Sequence, residues 1–571
     1  MYYEQALAGK LADYTGLPFD EIYQAIETPQ DPKLGDLAFP CFRLAKAMKK
    51  APPVIAQEIA ASLGGDTLPW ISEARATGPY VNIFLNRRVF AGKLLSAVLK
   101  DGVNYGAGGV GEGQKVLVEY SSPNIAKHFH VGHLGSTMIG KALDKIYRFL
   151  GYDVTSINYL GDWGTQFGKL ITAYLKWGSK EEIEKTEIDG LVKLYVKFHE
   201  EADKDPSLND EARAWVVRMQ DGNEEGFALW RWFIDLSLRE YNRLYDRLNI
   251  AFDEISSESR YSGKMDAVVS ALSEKGLLQE SEGAQIVDLE AHGMPPCLIL
   301  RSDGGTLYPT RDIAAAYDRY ETYKFTKSLY VTGNEQSLNF AQWIKVVELM
   351  GNEWAKGIVH VPYGMLLFEE GKLSTRRGQV IKVDDLLNEA VSKALAIIEE
   401  KNPGLENKEA VAEMVGIGAL VFGKLYTSRM KDTMFSWDRM LSFDGETGPY
   451  VQYAHARCCS VLAKAGLTPG TDLAQGLDTA HLADNEAFTV MRLLYDYPAR
   501  IKEAAEKYES FLVARHMVAL AQAYNAFYHQ HIILVEDAPG VRQARLALTA
   551  AVRDVLKSGL ELLNIAAPES M

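Results

Sequence analysis

The rhythm of polar and apolar positions changes three times along the chain. Up to about residue 100 the pattern is mixed. Residues 4–14 and 54–63 repeat apolar positions every three or four residues, which predicts amphipathic helices, and Tyr80-Val81-Asn82-Ile83-Phe84-Leu85 alternates like a strand. From 115 to about 385, short apolar runs alternate with helical patterns. Residues 116–120, 154–158, 328–332 and 358–361 read as buried parallel strands, and 136–150 and 166–177 as helices between strands. Residues 209–248 read as one long helical stretch whose Trp215, Trp230, Trp232 and Phe233 are expected in the core. Residues 284–289 and 296–300 read as a hairpin. From about 386 onward nearly everything reads as helix, with a break at 466–476 rich in Gly, Thr, Pro and Asp. The expected class is α/β: a Rossmann-like doubly wound parallel-sheet catalytic domain at 109–440, an α+β domain at 1–108 and an all-helical domain at 441–571.

Composition narrows the class without naming a function. The chain has 571 residues, 47% of them hydrophobic and 24% charged, which are ordinary globular values. A net charge of −15 disfavours non-specific nucleic-acid binding but leaves room for local basic patches. The first residues lack the basic segment and apolar core of a signal peptide, and no run approaches the ~18 apolar residues of a membrane span. Four cysteines, Cys41, Cys297, Cys458 and Cys459, have no CxxC spacing, so no protein metal site is expected. The expectation is a cytoplasmic protein without a membrane partner. A GxGxxG match at Gly106 to Gly111 precedes the strand 116–120 instead of following one. It is therefore read as a glycine-rich linker.

The chemistry starts where strand 116–120 ends. Ser121-Ser122-Pro123-Asn124-Ile125-Ala126-Lys127-His128-Phe129-His130-Val131-Gly132-His133-Leu134-Gly135 carries two histidines three residues apart at a strand-to-helix turn. Free backbone N–H groups and the helix dipole favour phosphate there, and imidazoles can donate hydrogen bonds to it. Gly132 removes a side chain where a base or ribose would approach. The bland alternative is a capped helix with packed histidines. About 240 residues later comes Gly371-Lys372-Leu373-Ser374-Thr375-Arg376-Arg377-Gly378. A lysine and a hydroxyl in such a loop can close over a triphosphate and offset charge on leaving pyrophosphate. Its bland alternative is a solvated basic loop.

The two motifs together resemble those of a class I aminoacyl-tRNA synthetase. Ser121 to Lys127, Leu160-Gly161-Asp162-Trp163-Gly164-Thr165-Gln166-Phe167-Gly168, Tyr308-Pro309-Thr310-Arg311-Asp312-Ile313-Ala314 and Thr447-Gly448-Pro449-Tyr450-Val451-Gln452-Tyr453-Ala454-His455-Ala456-Arg457 resemble arginyl-tRNA synthetases, in order along the chain. The resemblance implies ligation of L-arginine to tRNA(Arg) with ATP, and Mg²⁺ carried by the nucleotide. It implies His130, His133, Lys127, Lys372 and Ser374 in the chemistry, and ATP contacts from His130, Gly132, His133, Lys372, Leu373 and Ser374. It maps arginine recognition onto Glu119, Asn124, Tyr308, Asp312 and Gln336, with Glu258 a candidate for the substrate ammonium. Carboxylates suit a planar guanidinium, and Tyr308 and Asp312, four apart, share one helix face. A site built on such hydrogen bonds rejects lysine without an editing domain.

The resemblance also implies tRNA contacts. Tyr80 would stack on an unpaired base and Asn82 hydrogen-bond its edge, with Tyr453, Arg457, Tyr528 and Met571 in an anticodon-binding domain. It implies a monomer, and amino-acid activation that requires bound tRNA. Three positions depart from the family pattern: Thr375 replaces a second lysine, His128 a common proline and Gly135 a common arginine. Two other readings fit the sequence less well. A nucleotidyltransferase with the same histidine motif is usually much shorter, and a non-catalytic tRNA or arginine sensor would have lost His130, His133 or Lys372.

Overall fold

The computed structural model describes residues 3–65, 68–302, 305–368, 381–467, 471–534 and 538–571. The N-terminal alternation becomes a three-stranded antiparallel sheet of β1 (Leu37–Pro40), β2 (Ile71–Thr77) and β3 (Tyr80–Leu85), in the order β1-β3-β2. The two helices expected in this segment form as Tyr3–Thr15 and Pro52–Gly65.

The largest sheet has five parallel strands: β4 (Lys115–Glu119), β5 (Asp153–Leu160), β6 (Glu254–Ser257), β10 (Lys327–Gly333) and β11 (Ile358–Tyr363). Their order is β11-β10-β4-β5-β6. Chain order runs outward in one direction from β4 to β6 and in the other from β10 to β11. The switch lies between β4 and β10, and in such sheets ligands bind beyond the strands' carboxyl ends at that switch. Val116, Leu117 and Val118 are fully buried, as a strand covered on both faces requires. A separate antiparallel sheet of β7 (Gln279–Ser281), β8 (Ala284–Val287) and β9 (Cys297–Leu300) contains the expected hairpin.

Three sequence expectations are corrected. The helix after β4 spans Val131–Phe149, starting at the histidines and not at 136. The stretch 209–248 is two helices, Ser207–Gln220 and Glu224–Arg247, because Gly222 takes φ +87° and Asn223 caps the second helix through Gly226 N. Trp215 and Phe233 are core, but Trp230 and Trp232 are only partly buried, their indoles donating to Asp162 O and Glu184. Ahead of the helical C-terminal domain, β12 (Leu366–Phe368) pairs in parallel with β13 (Thr433–Phe435).

Contacts divide the chain into two compact units that run across the expected domain boundaries. One contains residues up to Gly102 with Val461–Tyr495 and Gln522–Arg553; the other contains Val103–Ser460, Asp496–Ala521 and Asp554–Met571. In the first, Tyr3 N donates to Tyr495 Oη at 2.7 Å, and Phe90 packs on Phe488 and Tyr495. An aromatic cluster thus joins residues distant in sequence.

The histidine-bearing helix lies very close to β4. A Cβ added at Gly140 would stand 2.1 Å from Tyr120 Cβ, on a fully buried tyrosine that cannot move aside. Gly140→Ala is expected to lower the unfolding free energy by about 2–3 kcal/mol in urea titration.

Candidate active site

The turn after β4 is held under backbone strain. Ser121 and Ser122 both take left-handed φ, +71° and +50°, as does Ala126 at +60°. Local hydrogen bonds hold this path. Ser121 N donates to Ser136 Oγ at 3.0 Å, Ser122 N to Asn158 Oδ1 at 3.2 Å and Ala126 N to Ser237 Oγ at 3.0 Å. Tyr241 Oη, from helix Glu224–Arg247, donates to the carbonyls of Asn124 and Lys127.

This path ends on His130, which caps the helix Val131–Phe149. His130 Nδ1 accepts from Gly132 N at 3.1 Å, and His133 Nδ1 accepts from His130 N at 3.2 Å. The two rings lie 3.9 Å apart. Because each Nδ1 accepts a backbone N–H, each neutral ring carries its proton on Nε2. Burial pushes the His133 imidazole down to about 3, helped by His130 and Lys127. Burial, then Lys127, lowers His130 as well. Both rings are therefore neutral Nε2–H donors at neutral pH, at the positive end of a helix.

Gly132 has a structural reason of its own. A Cβ there would lie 2.8 Å from His130 Cε1, so the glycine makes room for the capping histidine itself. Gly135, where the family pattern favours arginine, lies under Tyr363: a Cβ would meet its ring at 2.9 Å. His128, in place of proline, faces Asp189 at 3.2 Å and Glu240 at 3.7 Å. Lys127 is exposed.

Lys372, Leu373 and Ser374 lie outside the described residues. Residues 381–383 run against the histidine turn. Val131 N donates to Ile381 O at 3.3 Å and Val383 N to Phe129 O at 3.1 Å. Residues 381–383 are thus tied by backbone to the helix cap.

Beyond the carboxyl ends of β4 and β10 lies a cavity of about 630 Å³. Glu119, Glu258, Tyr308, Asp312 and Gln336 line it, five residues expected to recognise arginine. Asn124 does not: its Oδ1 lies over Gly161, where a Cβ would stand 2.2 Å away. Burial raises the Asp312 carboxyl to about 7, with Glu119 adding to the shift. Asn339 Nδ2 stands 3.4 Å from Asp312. Glu258 is engaged by Arg311 at 2.7 Å, which leaves it less available for a substrate ammonium than expected. Tyr308 is two-thirds exposed, with Arg311 over its ring. The sequence reading missed Tyr159, Arg319 and Tyr330 in the cavity wall. Only the helical spacing from Tyr308 through Asp312 to Arg319 signalled any of them.

The nucleic-acid candidates divide. Tyr80 is partly exposed and packs edge-on against Phe42, which is itself half exposed. Asn82 is corrected: it is 4% exposed and its Nδ2 donates to Thr77 Oγ1 at 3.1 Å, so it does not present its amide to a base. Tyr453 is exposed on helix Gly448–Lys464 with the Arg457 guanidinium 4.9 Å from its ring centre, the one-face arrangement expected from their spacing. Buried Gln452 donates to Met414 O and Ala566 O, and His455 to Pro568 O, so other residues of the same motif hold the chain's last residues in place. Met571 packs on the cluster around Ile398 and Val415, and its carbonyl accepts from Asn402. Tyr528 is half-buried in the other compact unit.

Comparison with known proteins agrees with this arrangement. Residues 94–437 match the family described as tRNA synthetases class I (R), catalytic domain. Residues 451–571 match the DALR anticodon binding domain, and residues 1–85 the arginyl tRNA synthetase N terminal domain. The chain is 51% identical over 555 residues to an arginine–tRNA ligase of Halothermothrix orenii, covering 97% of each chain. It is 47% identical over 571 residues to that of Clostridium botulinum, covering all of both. The solved arginyl-tRNA synthetase of Thermus thermophilus superposes with a TM-score of 0.81 at 27% identity, covering 100% of this chain and 99% of that one. With relatives this similar along nearly its whole length, the chain belongs to the class I arginyl-tRNA synthetases.

Proposed function

We propose that the chain ligates L-arginine to tRNA(Arg) in two steps, as its family does. The arginine carboxylate attacks the α-phosphorus of ATP, and the bond to pyrophosphate breaks. The 2′-hydroxyl of the terminal adenosine then attacks the adenylate carbonyl, and AMP leaves. Neither step needs a protein nucleophile. The observation that carries the reading is the cavity at the β4–β10 switch: it holds a half-buried carboxyl, Asp312, beside the turn that leads to a histidine-capped helix start.

In this reading Asp312 pairs with the substrate guanidinium, Tyr308 and Gln336 complete its hydrogen bonds, and Glu119 shapes the same wall. His130 and His133 donate through Nε2–H to the nucleotide phosphates, with Lys127, Lys372 and Ser374 offsetting the growing charge. Mg²⁺ arrives on the ATP. Tyr80, Tyr453 and Arg457 serve the tRNA. Four cysteines without CxxC spacing suit a reducing cytoplasm, where the chain acts as a monomer.

Arginine-dependent pyrophosphate exchange into ATP is expected only when tRNA is present; exchange with another amino acid in its place would defeat the reading. Asp312→Asn is expected to raise KM for arginine by about 100-fold with a smaller change in kcat. The pH dependence has a definite sign. A carboxyl at about 7 is mostly protonated below that pH, and a protonated acid cannot pair with a cation. KM for arginine should therefore rise as pH falls through about 7, and this limb should vanish in Asp312→Asn. His130→Ala should cut kcat by ~10²–10³ and cost about 1 kcal/mol of stability through the lost cap, measured by steady-state kinetics and thermal unfolding.

A further inference from the structure

Arg319 stands on the same helical stripe as two of the residues assigned to arginine. Tyr308, Asp312, Ala315 and Arg319 lie on helix Tyr308–Tyr323 at spacings of four, three and four, and all four line the cavity. Arg319 is 3% exposed. Its Nη2 is 2.5 Å from Glu119 Oε2, and its guanidinium carbon stands 5.3 Å from the Tyr159 ring centre and 5.2 Å from that of Tyr330. The protein thus already holds one guanidinium in the wall of the cavity, between two aromatic faces and against a carboxylate.

The carboxylates around the cavity are not equivalent. Glu119 is paired with Arg319, and Glu258 with Arg311 at 2.7 Å. Among the described residues, Asp312 has no ion-pair partner within 4.0 Å; its contact is the Asn339 amide. Resting on the arginine-ligase reading, we propose that Arg319 is a positioning residue that sets the charge of the pocket. By neutralising Glu119 it leaves Asp312 as the uncompensated carboxylate of the sheltered wall, the other unpaired one, Glu335, being exposed to solvent, so the site takes one guanidinium.

Two carboxylates close together in a poorly solvated site oppose each other's ionisation. Glu119 already acts this way on Asp312, and Glu258 adds to it while Arg311 opposes it. From the other packed elements, Tyr159 on β5 and Cys297 on β9 face Asp312 as neutral groups, each pushed up chiefly by burial. Around Arg319 stand Glu119 and the phenols of Tyr330, Tyr261 and Tyr159. Glu335 lines the same cavity. Removing the Arg319 charge leaves Glu119 uncompensated, which makes Asp312 harder to ionise.

The test compares the full-length wild type with Arg319→Met, Arg319→Lys and the double variant Arg319→Met/Glu119→Gln. Arginine binding is read by calorimetry and charging by steady-state kinetics, from about pH 6 to 9. Arg319→Met should raise KM for arginine about tenfold or more with a smaller change in kcat, and should move the acid limb of kcat/KM up by about one pH unit. Arg319→Lys should keep the limb near its wild-type position. The double variant should return it there, because both charges leave together; this variant also serves should Arg319→Met fail to fold. A limb unmoved in Arg319→Met, or displaced equally in the double variant, overturns the proposal. A wild type that binds no arginine overturns the ligase reading beneath it, a result distinct from either.

Discussion

The strand β4 ends on a carboxylate and, eleven residues later, the chain caps a helix with a histidine. Everything functional depends on how that short path is held. Two consecutive serines in left-handed conformation turn the backbone sharply, and hydrogen bonds from neighbouring strands and helices keep it there. The same turn fixes Glu119 in the wall of the amino-acid cavity and the imidazoles at the helix start. Because β4 borders the sheet's switch point, both places lie at the carboxyl edge of one sheet, where a crevice forms without any added element. Gly140 lets the helix approach closely enough to preserve this geometry.

Electrostatics then divides the site into two kinds of place. At the helix start the histidines are kept neutral by burial and by a neighbouring lysine, and their Nδ1 atoms are committed to backbone N–H groups. They offer directed donors without an added full charge, which suits phosphates whose charge changes during reaction. In the cavity the opposite holds. Acidic groups are buried or half-buried in its wall, and guanidinium groups from the protein itself match two of them. A buried, uncompensated carboxyl is costly in the empty protein. A cationic ligand relieves that cost, which makes selection by charge and shape part of binding itself.

Much of this was legible in the sequence because it rests on local pattern. Short apolar runs marked four of the five parallel strands, Glu254–Ser257 having no such run, and four ordered motifs carried the resemblance to the family. What was missed depended on side chains meeting across the fold. Asn82 looked like an exposed amide on an alternating strand, yet it is turned inward to Thr77. Asn124 belongs to a recognised motif, but folds over Gly161. Arg319 belongs to no motif; its pairing with Glu119 joins positions 200 residues apart, which no local rhythm reveals. Strands of three residues, such as β12 and β13, are too short to display a period at all. The start of the histidine helix was misplaced because histidine is not a usual cap residue, although its Nδ1 accepts the backbone N–H as an aspartate oxygen would.

The most direct measurement is charging of total tRNA with each of the standard amino acids in turn, supplied with ATP and Mg²⁺. The account predicts stable aminoacylation with arginine alone, and none with lysine, whose ammonium cannot make the planar contacts of a guanidinium. Charging with a neutral amino acid, or no charging at all by a folded protein that binds tRNA, would contradict it.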